Sequence, residues 1–111
     1  MDITTEQAGS VITVSLKGRL DAATSKSVEE HLLSIISKGE QKLLIDLGSL
    51  EYISSVGLRV LMVAGKHAKA TNGRIAMCSL QPGIAQVFMI AGFSTLFPVF
   101  DTRTEAMTGL A

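Results

Sequence analysis

The sequence has few of the residues that make cross-links or metal sites, and it has no excess of either charge. It contains one cysteine, Cys78, which excludes an internal disulfide and favours a reducing compartment. Lys+Arg and Asp+Glu each count 10, so the broad charge that marks binders of nucleic acid or anionic membranes is missing. The two histidines, His31 and His67, lack ligand spacing, and we predict neither a metal site nor a cofactor.

Long hydrophobic runs are also missing. No stretch of about 20 apolar residues is present, so no membrane span is predicted. Residues 1–6 lack the basic and apolar regions of a secretory signal, and we expect a cytoplasmic protein. A chain of 111 residues with 47% apolar and 18% charged residues is typical of one globular domain spanning residues 1–111.

Short strands alternate with helices along the chain, which predicts an α/β fold. We expect one mixed sheet of four to five strands, helices mainly on one face, and the order β-β-α-β-α-β-α-β-α. The predicted strands are residues 3–7, 11–17, 42–47, 74–78 and 97–100. The first two predicted helices are residues 24–38 and 55–71. A third helix is predicted to begin at Pro82 and to bury Val87, Phe88, Ile90 and Ala91. The last is predicted to begin with a capping box from Thr102 to Glu105.

Two serines, Ser54 and Ser55, stand between a buried strand and the second helix. Serine is a preferred N-cap, because its oxygen accepts a hydrogen bond from a backbone N–H at the helix start. The same position tolerates a phosphate, since the helix dipole favours negative charge there. The residues alone leave both interpretations open, a structural cap and a modifiable hydroxyl.

Two carboxylates follow predicted strands without partners that would make them catalytic. Asp21 ends the segment Gly18-Arg19-Leu20-Asp21, where it could cap the first helix or contact a basic group of a partner. Asp46 has no neighbouring base or nucleophile and is interpreted as a turn or cap residue. Cys78 is interpreted as a small core residue. We therefore predict no catalytic residues and a protein that is not an enzyme.

Two motifs resemble those of the STAS domain family, named for sulfate transporters and anti-sigma factor antagonists. They are Gly18-Arg19-Leu20-Asp21 and Tyr52-Ile53-Ser54-Ser55-Val56-Gly57-Leu58, in the family's order and spacing. The resemblance covers almost the whole chain and is closest to the free-standing bacterial antagonists. It implies a protein that binds an anti-sigma factor, which is itself a serine kinase. It also implies that a serine phosphatase removes the phosphate and restores the binding form.

The resemblance also implies roles for particular residues. Ser55 corresponds to the family phosphoserine, which leaves Ser54 as the helix cap, and Asp21 corresponds to a family contact with the partner. We expect the partner-binding surface to be formed by Asp21, Ser54, Ser55, Val56, Leu58, Arg59 and Met62.

The sequence departs from the family pattern at three positions. Ser54 replaces the aspartate that commonly precedes the phosphoserine, and it is a second candidate acceptor. Val56 and Arg59 replace smaller residues, and Arg59, one helical turn from Ser55, could pair with a phosphate there. One alternative is a STAS scaffold or transport-linked adaptor without serine phosphorylation. Another is a small enzyme or nucleotide-binding protein that holds a ligand phosphate at this helix start.

Overall fold

Strands and helices alternate along the chain, as the hydrophobic pattern predicts. The computed structural model describes residues 1–39 and 41–110, apart from the side chain of Ser94. Within these residues the strands are β1 (Asp2–Ala8), β2 (Val11–Leu20), β3 (Lys42–Asp46), β4 (Leu50–Ile53), β5 (Arg74–Cys78) and β6 (Val99–Phe100). The helices are α1 (Ser25–Ile36), α2 (Ser55–Ala70), α3 (Pro82–Ile90), α4 (Phe93–Leu96) and α5 (Arg103–Leu110).

Strand β2 organises the sheet because it pairs with three other strands. β1 lies antiparallel to it, β3 runs parallel beside residues 11–15, and β4 runs parallel beside residues 18–20. The register shifts between Gly18 and Arg19, and Gly18 has a φ of 110°, a conformation that glycine adopts far more readily than other residues. β5 and β6 continue the sheet in the order β1-β2-β3-β5-β6.

Apolar side chains cover the two faces of the sheet unequally. The larger core lies between the sheet and helices α1 to α4, and its largest fully buried members include Leu16, Leu43, Ile45 and Phe93. On the opposite face only α5 among the described helices contributes to the core, through Ala106 and Leu110. These contact a smaller set of sheet residues: Val11, Leu44, Ala76 and Cys78. The predicted arrangement of helices mainly on one face is confirmed.

Helix α5 is fixed to the sheet by a cap and an ion pair. The Thr102 hydroxyl accepts a hydrogen bond of 3.1 Å from the Glu105 N–H, which is one half of the predicted capping box. Arg103 donates to Asp46 Oδ2 at 2.8 and 2.9 Å and to Ser15 Oγ at 3.1 Å. The hydrogen bond to Asp46 raises the pKa of the Arg103 guanidinium.

The fold class is confirmed, and three local features differ from the sequence prediction. Neither β4 nor α4 was predicted, and β4 gives the described sheet a sixth strand. Ile90 and Ala91 are exposed rather than buried, because Ile84 and Phe88 form the buried face of α3. Ile90 lies two residues beyond Phe88, about 200° around the helix, and its side chain therefore faces away from the core.

Candidate functional site

Ser54 and Ser55 occupy different positions at the start of α2. Ser54 has extended backbone, with φ −90° and ψ 173°, and its Oγ accepts a hydrogen bond of 3.1 Å from the Gly57 N–H. Ser54 is therefore the N-cap. Ser55 is the first helical residue, and it is exposed. The capping function that either serine could have served belongs to Ser54.

Gly57 holds the start of α2 against the end of β2. A Cβ at this position would lie 2.7 Å from the Leu20 carbonyl oxygen and 2.8 Å from Leu20 Cγ, closer than real Cβ contacts. The same Leu20 oxygen accepts a hydrogen bond of 2.9 Å from the Ser54 N–H. Ser54 and Gly57 thus fix the start of α2 by direct contact with Leu20, the residue that precedes Asp21.

Asp21 stabilises the segment between β2 and α1. Its Oδ1 accepts hydrogen bonds from the backbone N–H groups of Ala23, at 3.0 Å, and Thr24, at 3.3 Å. Thr24 is the N-cap residue of α1, but its hydroxyl donates to the Arg19 carbonyl instead of capping the helix. Asp21 therefore closes the turn before α1 and does not cap the helix itself. About a third of its side chain is exposed (32%) and can contact another molecule.

The remaining predicted contact residues surround Ser55 on the first two turns of α2. Val56 and Arg59 are exposed, whereas Leu58 and Met62 are half-buried and pack partly against the larger core. Ser55, Arg59 and Met62 recur at helical spacing and share the outward face. The fold thus brings together all seven residues that the sequence singled out. Their roles in partner binding and phosphorylation remain predictions.

No acidic residue occupies the first turn of α2, whereas His67 and Lys69 lie in the last turn, where positive charge is favourable. Arg59 lines a cleft of about 280 Å³ between α1 and α2, together with Lys26 and Glu29. A phosphate on Ser55 would therefore lie where the helix dipole favours negative charge, one helical turn from Arg59.

A contact between Arg19 and Tyr52, close to the two serines, was not predicted from the sequence. The Arg19 guanidinium lies 4.1 Å from the centre of the Tyr52 ring, because the β2–β4 register places these residues side by side. Tyr52 also lines a groove of about 250 Å³ between β4 and α3. Tyr52 is the only tyrosine in the chain. Its contact with Arg19 could not be inferred from the sequence, because the contact depends on the pairing of β4 with β2.

The other side chains considered as possible reactive groups, Asp46, Cys78 and His31, are hydrogen-bonded or buried within the fold. Asp46 accepts hydrogen bonds from Arg103 and from the Gly48 N–H. Cys78 is fully buried, and burial raises the pKa of its thiol, so the reactive thiolate is disfavoured. His31 Nε2 lies 2.7 Å from the Thr5 hydroxyl.

In the part of the chain that the structure describes, no group of three or more His, Cys, Asp or Glu side chains is placed to hold a metal ion. Across residues 1–39 and 41–110, no helix has both the length and the apolar character needed to span a membrane.

Known proteins resemble this chain over nearly its full length. It is 35% identical over 106 residues to BtrV of Bordetella bronchiseptica, provisionally named an anti-sigma factor antagonist, covering 96% of this chain and 91% of BtrV. It is 26% identical over 111 residues to the anti-sigma F factor antagonist of Paenibacillus polymyxa, covering 99% and 95% of the two chains.

Solved structures show the same fold. A crystal structure from Thermotoga maritima, also provisionally described as an anti-sigma factor antagonist, superposes with a TM-score of 0.92 at 19% identity, covering 97% of this chain and 93% of that one. The family model described as STAS domain matches residues 2–106. The chain therefore belongs to the STAS domain family.

Proposed function

We propose that this protein is an anti-sigma factor antagonist that binds a serine-kinase anti-sigma factor and releases it when Ser55 is phosphorylated. Two relatives, at 35% and 26% identity, carry the name of anti-sigma factor antagonist. The similarity spans at least nine-tenths of each relative, so the comparison supports a shared function for the whole domain. A serine phosphatase in the cytoplasm would restore the binding form.

The exposed hydroxyl of Ser55 at the first position of α2 is the observation that carries the phosphorylation step. Ser54 already supplies the helix cap through its 3.1 Å bond to the Gly57 N–H. A phosphate on Ser55 therefore leaves that bond intact, whereas a phosphate on Ser54 would occupy the capping oxygen. The geometry favours Ser55 over Ser54 as acceptor.

Phosphate weakens binding because it adds negative charge next to apolar contact area. Val56, Leu58 and Met62 offer apolar contact area next to Ser55. A phosphoserine adds about −1.5 to −2 charges and strongly hydrated oxygens. Burying that group against a partner requires its desolvation, and a partner surface that matches the neutral form repels it.

The phosphorylation step is tested by incubating the chain with ATP and the serine-kinase anti-sigma factor recovered from its host. Phosphopeptide mapping should place the label on Ser55, within residues 52–59. Ser55→Ala should abolish the label and retain binding, and Ser54→Ala serves as the matched control that keeps the label. Absence of label from residues 52–59 contradicts the proposal. Stable capture on a transporter component without any label would instead support the adaptor function.

A further inference from the structure

An apolar groove lies beside the proposed contact surface, between β4 and the start of α3. Its volume is about 250 Å³, and its walls are formed by Glu51, Tyr52, Ile53, Gln81, Gly83, Ile84 and Val87. Glu51 is the one charged residue among them. The groove therefore suits an uncharged, apolar group.

The walls of the groove are held in place by contacts with the rest of the domain. Ile84 is buried in the larger core, and the Gln81 side chain donates a hydrogen bond of 3.0 Å to the Gly48 carbonyl. On the opposite wall, Arg19 lies over the Tyr52 ring at 4.1 Å. Tyr52 nevertheless stays 41% exposed. The groove is therefore preformed and open to solvent.

The groove is continuous with the surface that carries Ser55 and Asp21. Tyr52 and Ile53 directly precede Ser54 in the chain. Arg19, which contacts Tyr52, also lies 3.8 Å from Asp21 Oδ2. A protein that covers Asp21 and Ser55 and reaches Arg19 would therefore meet Tyr52 and the groove that it borders.

We propose that this groove receives an apolar side chain of the anti-sigma factor, which anchors the complex next to the phosphorylation site. This inference rests on the proposed function, since it assumes that the anti-sigma factor covers α2. Binding energy in protein interfaces is concentrated in a few anchors that fill desolvated pockets. A charged side chain would lose its hydration here without gaining a partner other than Glu51.

Gly83 makes the groove testable without disturbing the fold. A Cβ added at Gly83 meets no atom within 4 Å, and residue 83 precedes Val87 by one helical turn, so a larger side chain lies along the groove. Gly83→Leu should therefore fill the groove while keeping or raising the melting temperature, because replacing glycine in a helix is favourable. Ala91→Leu adds a comparable side chain at an exposed position outside the groove and is the matched control.

Binding to the serine-kinase anti-sigma factor is measured by calorimetry for the wild type and the two variants. We expect Gly83→Leu to weaken binding at least tenfold and Ala91→Leu to stay within twofold of the wild type. Tyr52→Ala, which removes the opposite wall, should weaken binding as well and covers the case in which Gly83→Leu folds poorly.

Wild-type affinity in both groove variants would overturn the inference and leave the proposed function standing. A wild-type chain that binds no anti-sigma factor would instead contradict the proposed function. A dimer in sedimentation that Gly83→Leu dissociates would assign the groove to a second copy of this chain, which also overturns the inference.

Discussion

Two adjacent hydroxyl groups have different chemical environments at the start of α2. The Ser54 oxygen is engaged by the Gly57 N–H, and Ser55 is exposed one residue later. The sequence predicted that the two serines form the site. The residues alone could not assign the cap, because serine suits both positions, whereas the family resemblance assigned it to Ser54. The extended backbone of Ser54, with ψ at 173°, decides between them.

Removal of the Ser54 hydroxyl should destabilise the domain. Ser54→Ala should lower the free energy of unfolding by about 1 kcal/mol, because the Gly57 N–H loses its acceptor, and Ser54→Asp should be nearly neutral. Ser55→Ala is the matched control and should change stability by less than about 0.5 kcal/mol. Urea unfolding measures all three variants. A Ser55→Ala variant as unstable as Ser54→Ala would show that the cap has been assigned to the wrong serine.

Arg59 should stabilise the doubly ionised phosphate on Ser55. It lies one turn away on the exposed face of α2, and an anion that precedes a cation by four residues is the favourable order. We expect Arg59→Gln to lower the second acid dissociation constant of the phosphate about twofold, because the dianion loses a neighbouring positive charge. Phosphorus NMR titration of a chain that carries phosphoserine at position 55 measures this, with Lys66→Gln as the control. Identical titrations for the wild type and Arg59→Gln would rule out the pairing.

At the scale of secondary structure, the end of β2 determines where the site forms. The long, strongly patterned elements were predicted close to their true bounds, because alternation and helical spacing are local properties. β4 was not predicted, since it has four residues and exists through its pairing with β2 beyond the register shift at Gly18. The Arg19–Tyr52 contact and the groove depend on that pairing and were missed for the same reason.

The close approach of α2 to β2 can be tested with two glycines. Gly57→Ala should destabilise the domain by about 1–3 kcal/mol, because the added methyl group overlaps the Leu20 carbonyl. Gly83→Ala is the matched control, since its methyl group meets open space. It should stabilise the domain by about 0.4–1 kcal/mol. Thermal and urea unfolding give both values. A neutral Gly57→Ala variant would contradict the packing described at the start of α2.

For the molecule as a whole, one phosphate is a large change in charge. Basic and acidic residues balance at 10 each, so phosphorylation takes the formal net charge from zero to about −1.5 to −2. The added charge stands on the surface formed by α2 and the Asp21 segment, where the partner is proposed to bind. Phosphorylation therefore changes the long-range attraction or repulsion of a charged partner as well as the local contact. This long-range force weakens as the salt concentration rises.

The affinity of the chain for its serine-kinase anti-sigma factor, with and without phosphate on Ser55, is the most direct measurement. Calorimetry should show at least tenfold weaker binding for the phosphorylated chain, a loss of about 1.4 kcal/mol or more. Ser55→Ala should bind within about twofold of the unmodified protein. Equal affinities for the phosphorylated and unmodified chains would contradict the assignment of Ser55 as the residue that controls binding.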